Sequence, residues 1–186
     1  MTLDPPPQTT GPFDWIWRKW FNNVYIWILR AVGERSAVTA TTSGTSHDIT
    51  VPLWATKVTI TGAGVSTNGT SLPQFQLGDS SGVETSGYLS AASLIGSSLF
   101  HTNSTAGFAL YGANAANVIH FRFTFYLHDE SSNEWVCEGI DGFSSSATTG
   151  VSGGSKSLSD KLTTVRLTTV NGTDTFDAGS ISARFE

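Results

Sequence analysis

Charged side chains are scarce in this chain: Asp, Glu, Lys and Arg make up 13% of its 186 residues. Ten basic groups against fifteen acidic ones leave a formal net charge of −5, which argues against nucleic-acid binding by a basic patch. Cysteine is scarcer still. Cys137 stands alone, so there is no intrachain disulfide framework and no need of an oxidising compartment. No run of 18 apolar residues exists, which argues against a membrane-spanning helix. Residues 1–12 (MTLDPPPQTTGP) lack the basic and apolar regions of a secretory signal, so the expected exit from a cell is by some other route.

Catalytic and metal-binding spacings are missing as well. His47, His101, His120 and His128 form no HxH or HExxH pattern, and Cys137 has no CxxC partner. Asp79 and Glu84 lack the full loop of a calcium site, and 128–130 reads as a solvated turn. GAGVSTNG, residues 62–69, completes no phosphate-binding pattern. The expectation is a protein that is not an enzyme and carries no cofactor or metal. The Asn-Gly-Thr triplets at 68 and 171 read as turns rather than as modification sites.

What is present starts with one stretch, FDWIWRKWFNNVYIWILRAV, residues 13–32, which holds four of the six tryptophans. Phe13, Trp17, Trp20, Val24, Trp27 and Ala31 are spaced four and three apart, the seam by which one helix packs along others. Gly11 suits the N-cap, Pro12 the first helical position, and Asp14 the positive end of the helix dipole. Gly33 stands where a C′ glycine would. Such a helix is roughly 30 Å long. Trp15, Ile16, Phe21, Tyr25, Ile26, Ile28 and Leu29 widen the apolar surface beyond one seam. Three things could cover it: the rest of its own chain, copies of itself, or a membrane interface. Arg18, Lys19, Asn22 and Asn23 interrupt it too early for a span, and self-association is the expectation.

Residues 1–12 form an extended arm in which Pro5, Pro6 and Pro7 favour polyproline conformation. Leu3 and Asp4 are its candidate apolar and charged anchors in a partner's groove. Residues 34–47 read as a polar linker. From 48 to 186 the period is two. The clearest strand is VIHFRFTFYL, with Ile119, Phe121, Phe123, Phe125 and Leu127 on one face and His120, Arg122, Thr124 and Tyr126 on the other. Ile49 and Val51, Val58 and Ile60, Phe75 and Leu77, and Ile181, Ala183 and Phe185 alternate likewise. Residues 63–73 read as a loop and 144–157 as a flexible one. Eight or nine short strands and no second helix predict a mainly β chain, an antiparallel jelly-roll-like β-sandwich.

Two stretches, QLGDSSGVETSGYLS at 76–90 and KSLSDKLTTVRLTTVNGTDTFDAGSISARFE at 156–186, resemble the C-terminal β domain of tail-fibre and other virion appendage proteins of tailed bacteriophages, particularly marine and cyanobacterial ones. The opening DPPPQTTGPFDWIWRKWF resembles the proline-bearing anchor and helix of small phage fibres. The resemblance implies a homotrimer on the virion. Arms 1–12 would plug into a tail or baseplate protein, helices 13–33 would form the stalk, and heads 48–186 would face outward toward a host-surface glycan or protein. It does not imply an enzyme. With no repeats and no shaft, a short fibre is the nearest match. A capsid decoration or head fibre, and a protein lying on a membrane through its Trp-rich helix, are the alternatives. Loops 97–106, 128–134 and 144–157 are the expected receptor contacts.

Overall fold

The computed structural model describes residues 14–96, 99–110, 115 and 117–186. Helix α1 (Asp14–Val32) comes first. The strands then run β1 (Glu34–Arg35), β2 (Thr39–Ala40), β3 (Ser46–Thr50), β4 (Lys57–Thr67), β5 (Pro73–Asp79), β6 (Gly82–Val83) and β7 (Leu89–Ile95). They continue with β8 (Leu99–Ser104), β9 (Phe108–Ala109), β10 (Ile119–Asp129), β11 (Glu134–Phe143), β12 (Thr149–Ser157), β13 (Thr164–Thr169) and β14 (Phe176–Phe185). All described pairings are antiparallel, and they make two sheets. The large sheet has the order β1-β14-β4-β10-β11-β12-β7-β8, with β2 also on β14. The small sheet has the order β3-β13-β5-β6, with β9 also on β5.

The two sheets meet through the alternation that the sequence displays. Phe121, Phe123 and Phe125 point in from β10, Val58 and Ile60 from β4, and Ile181, Ala183 and Phe185 from β14. Phe75, Leu77, Val165, Leu167 and Ile49 answer from the small sheet. Phe75 stands at the centre, its ring 5.6, 5.1 and 5.7 Å from those of Phe121, Phe123 and Phe125. Edge and tilted contacts of this kind add to the burial itself, which is about 1.5–3 kcal/mol for each large side chain. A β-sandwich in the coarse sense is what these two packed antiparallel sheets make.

Four expectations need correction. Residues 144–157 are not a flexible loop: 149–157 is strand β12, held between β11 and β7. Its glycines serve packing rather than mobility, since a Cβ on Gly154 would overlap the Leu89 carbonyl. The linker 34–47 contains β1 and β2, both paired with β14, and ends in β3. Strand β4 runs on through Thr67, so 63–67 is not loop, and the turn starts at Asn68, whose Oδ1 accepts the Thr175 N–H at 2.8 Å. The described residues hold fourteen strands, several of only two residues, rather than eight or nine.

Helix α1 ends as its sequence requires. Gly33 has φ +75° and donates its N–H to the Leu29 carbonyl at 2.7 Å, the C′ glycine closure. Among the described residues no second helix occurs.

Candidate interaction surfaces

Three surfaces stand out once inward-facing side chains are set aside. The first is α1. Trp17, Trp20 and Phe21, at i, i+3 and i+4, stack in one cluster, with ring centroids 6.1, 6.2 and 5.1 Å apart. The β domain does not cover it: Trp15, Trp17, Trp20 and Trp27 are 66%, 58%, 53% and 71% exposed. Of the seam residues, Trp17, Trp20, Trp27 and Ala31 are exposed and Val24 is half-buried. Phe13 and the anchor residues Leu3, Asp4, Pro5, Pro6 and Pro7 lie outside the described residues, as do Gly11 and Pro12. Among the described residues no helix is long and apolar enough to cross a membrane.

The second surface is the outward face of the large sheet. Pairing registers fix its rows. One reads Lys57, Tyr126, Val136, Ser155, Leu89 across β4, β10, β11, β12 and β7. The next reads Thr59, Thr124, Glu138, Gly153, Ala91, Asn103. A third reads Thr61, Arg122, Ile140, Val151, Ser93, His101, and beyond it lie Ile95 and Leu99. Leu89, Ile95, Leu99, Tyr126, Val136, Ile140 and Val151 are all exposed. Isolated exposed apolar side chains are ordinary, whereas contiguous rows of them mark a contact surface. Tyr126 donates its OH to Glu138 at 3.1 Å, and burial followed by that carboxylate raises the phenol's pKa. Lys57 lies 5.8 Å over the Tyr126 ring and pairs with Glu186 at 2.6 Å. Arg122 makes no ion pair among the described residues.

The third surface is a cleft of about 380 Å³ on the outward side of the small sheet, lined by Gln74, Gln76, Arg166, Thr168 and Asn171 among others. Here every strand position is polar, and the partners are internal. Arg166 grips Asp48 through Nε and Nη2 at 2.7 and 2.8 Å. That fork depresses the Asp48 pKa and raises that of Arg166. Gln76 donates to the Ala106 carbonyl at 2.9 Å and Thr168 to that of Thr45 at 2.9 Å. Gln74, 2% exposed, has a buried Oε1 with no hydrogen-bond partner.

The three expected receptor segments do not all meet: Leu99 and Thr149 flank Ile95 at one end of the large sheet, and the turn before Glu134 lies at the other end. Within 97–106, residues 99–104 are strand β8. Residues 130–133 make a turn tied by Asp129, whose carboxylate accepts from the Ser131 N–H at 2.8 Å and from the Ser132 hydroxyl at 3.0 Å. Most of 144–157 is β12. Among the described residues of these three segments, only Ala106 reaches the cleft. The cleft is absent from the sequence-based expectations. Gln74 and Gln76 alternate with Phe75 and Leu77, and the apolar half of that period-two signal announces a core while the polar half announces only an outward face.

Asp79 and Glu84, which lack the full loop of a calcium site, have structural duties. Asp79 accepts from Ser81 N–H (2.8 Å) and Oγ–H (2.6 Å), from the Ser159 hydroxyl and from Asp160 N–H (3.0 Å). These bonds, the Ser159 one foremost, hold its carboxyl well below the usual range. Glu84 pairs with buried Lys156 and accepts the Ser159 N–H at 2.9 Å. Among the described residues no three His, Cys, Asp or Glu gather as a metal would need. No protein-family model, curated protein or solved structure matches this chain.

Proposed function

We propose that the chain is the subunit of a short trimeric fibre on a phage particle. Residues 1–12 attach it to the tail or baseplate, α1 associates with α1 of two further copies, and the β domain is exposed for attachment to a host-surface glycan or protein. One observation carries this: the indole face of α1 is left uncovered by the chain's own sandwich. An aromatic face of this extent is costly in water, and a bundle is the simplest way to bury it.

The strand order supports reading the sandwich as a jelly roll. Strands β3, β4 and β5 alternate between the sheets, β7 and β8 return on the large one, and β9 crosses to the small one. Strand β13 then lies between β3 and β5, and β10, β11 and β12 together fill the place between β4 and β7. The polar cleft suits a polyhydroxyl ligand better than an apolar one, because its lining offers amide, hydroxyl and guanidinium groups. Size-exclusion chromatography with light scattering tests the assembly. The expected mass is three times the 19.8 kDa of one chain, and a stable monomer at micromolar concentration overturns the reading. Immunogold labelling of particles tests the location, with label at the tail expected.

A further inference from the structure

The outward face of the large sheet and the root of α1 lie on the same side of the sandwich. Ile181, Ala183 and Phe185 of β14 point into the core, so Arg184 between them points outward. From there its Nη2 donates to the Val32 carbonyl at 3.0 Å, at the last turn of α1. Its Nε lies 2.7 Å from Glu186 Oε1, and Glu186 in turn pairs with Lys57 beside Tyr126. A cation at a helix C-terminus favours the dipole, and here it also fixes which side of the sheet the helix leaves from.

Packed helices lie about 8–10 Å apart. Copies that associate through α1 therefore bring together whatever stands next to the helix root, and that is this sheet face. We infer that the outward face of the large sheet is covered by a second copy of this chain, with Arg122 of one copy pairing with Glu138 of the next. The inference rests on the fibre reading given above and adds to it the surface by which the β domains meet.

Three observations bear on it. The face carries exposed apolar pairs on neighbouring strands, Tyr126 beside Val136 and Ile140 beside Val151, with exposed Leu89 beyond Ser155. Six strands at about 4.8 Å and three residue rows at about 7 Å span roughly 600 Å², of the order a stable interface takes from each partner. The charges are complementary and unfinished: among the described residues Arg122 has no ion pair, and the Glu138 carboxylate has only the Tyr126 hydroxyl. Finally, the two flank a hollow of about 230 Å³ lined by Arg122, Thr124, Glu138, Gly139 and Ile140. A neighbour's side chain fits there.

The test joins two full-length chains, one carrying Arg122→Cys and the other Glu138→Cys, co-expressed and oxidised. Cys137 does not compete, since it is buried and burial pushes its thiol pKa up. A disulfide between residues 122 and 138 of different chains, identified by mass spectrometry, is the expected result. Its absence in a mixture that light scattering shows to be trimeric overturns the facing sheets and leaves the helical association standing. A monomeric mass for the unsubstituted chain overturns both. Oxidative footprinting probes the same contact in the unsubstituted assembly: Ile140 and Val151 should be protected at least severalfold relative to Val170. Equal labelling of all three overturns the inference.

Discussion

Across the small sheet, Asp48, Arg166 and Gln76 stand side by side, whereas a row across the large sheet reads Tyr126, Val136, Ser155 and Leu89. The same alternation generates both faces, because each opposes a buried row of phenylalanines, leucines and valines. What differs is where the outward side chains find partners. On the small sheet they find them within the chain: Arg166 on Asp48, Gln76 on Ala106, Thr168 on Thr45. On the large sheet the apolar rows are exposed, and Arg122 has no ion pair among the described residues. A face whose polar side chains mostly bond within the chain, the buried Gln74 Oε1 excepted, needs no further partner when wet. A face with exposed apolar pairs, and with an arginine that has no ion pair among the described residues, is the one we propose meets another copy. That difference is the physical ground for giving one face to solvent and ligand and the other to sister chains.

The largest expected effect removes what brings the copies together. Truncating Trp17 and Trp20 to serine should weaken association by about 2 kcal/mol or more for each buried indole, roughly thirtyfold each. Light scattering against concentration reads it, and the urea unfolding midpoint of the β domain should be unchanged. Retained mass would place the indoles outside any subunit contact. A matched pair of lysines comes next. Ile140→Lys, on the apolar face, should lower association at least tenfold, about 1.4 kcal/mol. Thr50→Lys, exposed on the outward side of β3, should change it by less than twofold. Equal effects from the two would erase the distinction between the faces.

Below these in size is a bond set inside the chain. The Asp79 carboxyl is depressed in the folded state, so its contribution is fully present above its unfolded value of about 3.9 and is lost as pH falls toward the folded one. Urea unfolding from pH 6 down to 2.5 should show a falling stability limb that Asp79→Asn flattens. At pH 6 the substitution should cost about 1.5–3 kcal/mol, the worth of hydrogen bonds to a charged group. An unaltered limb would assign the acid sensitivity to another carboxylate.

How much of this is legible in the chain depends on what each residue type reports. The C-terminal end of α1 and the alternation in β10 can be read directly, because Gly33 and the phenylalanines of 121, 123 and 125 signal one conformation each. Strand β12 cannot. Its sequence TGVSGGSKS is what a loop would carry, and only the neighbouring Leu89 and Ser90 backbone explains why Gly154 must be small. The outward faces are half legible. Period two says that Gln74 and Arg122 point away from the core, but not that one meets a cleft and the other an open row. That distinction is made by segments far apart in sequence, such as Ala106 over Gln76. Strand register is set by long-range pairing, which a local pattern does not record.

Two arginines give the smallest and most selective comparison. Arg166 holds Asp48 bidentately at a half-exposed site, so Arg166→Gln should cost the folded chain less than about 1 kcal/mol, most of it screened in 1 M salt. It should leave association unchanged, because both partners belong to one chain. Arg122→Gln should do the reverse. Arg122 has no ion pair among the described residues, so the unfolding midpoint of the isolated chain should stay in place, while association weakens severalfold in low salt and little in high salt. Measuring both quantities for both variants separates a charge whose partner is internal from one whose partner is supplied by another copy. If Arg122→Gln instead lowers the unfolding midpoint of the monomer and spares association, its role lies within the sheet, and the large face has no claim to be the inside of a trimer.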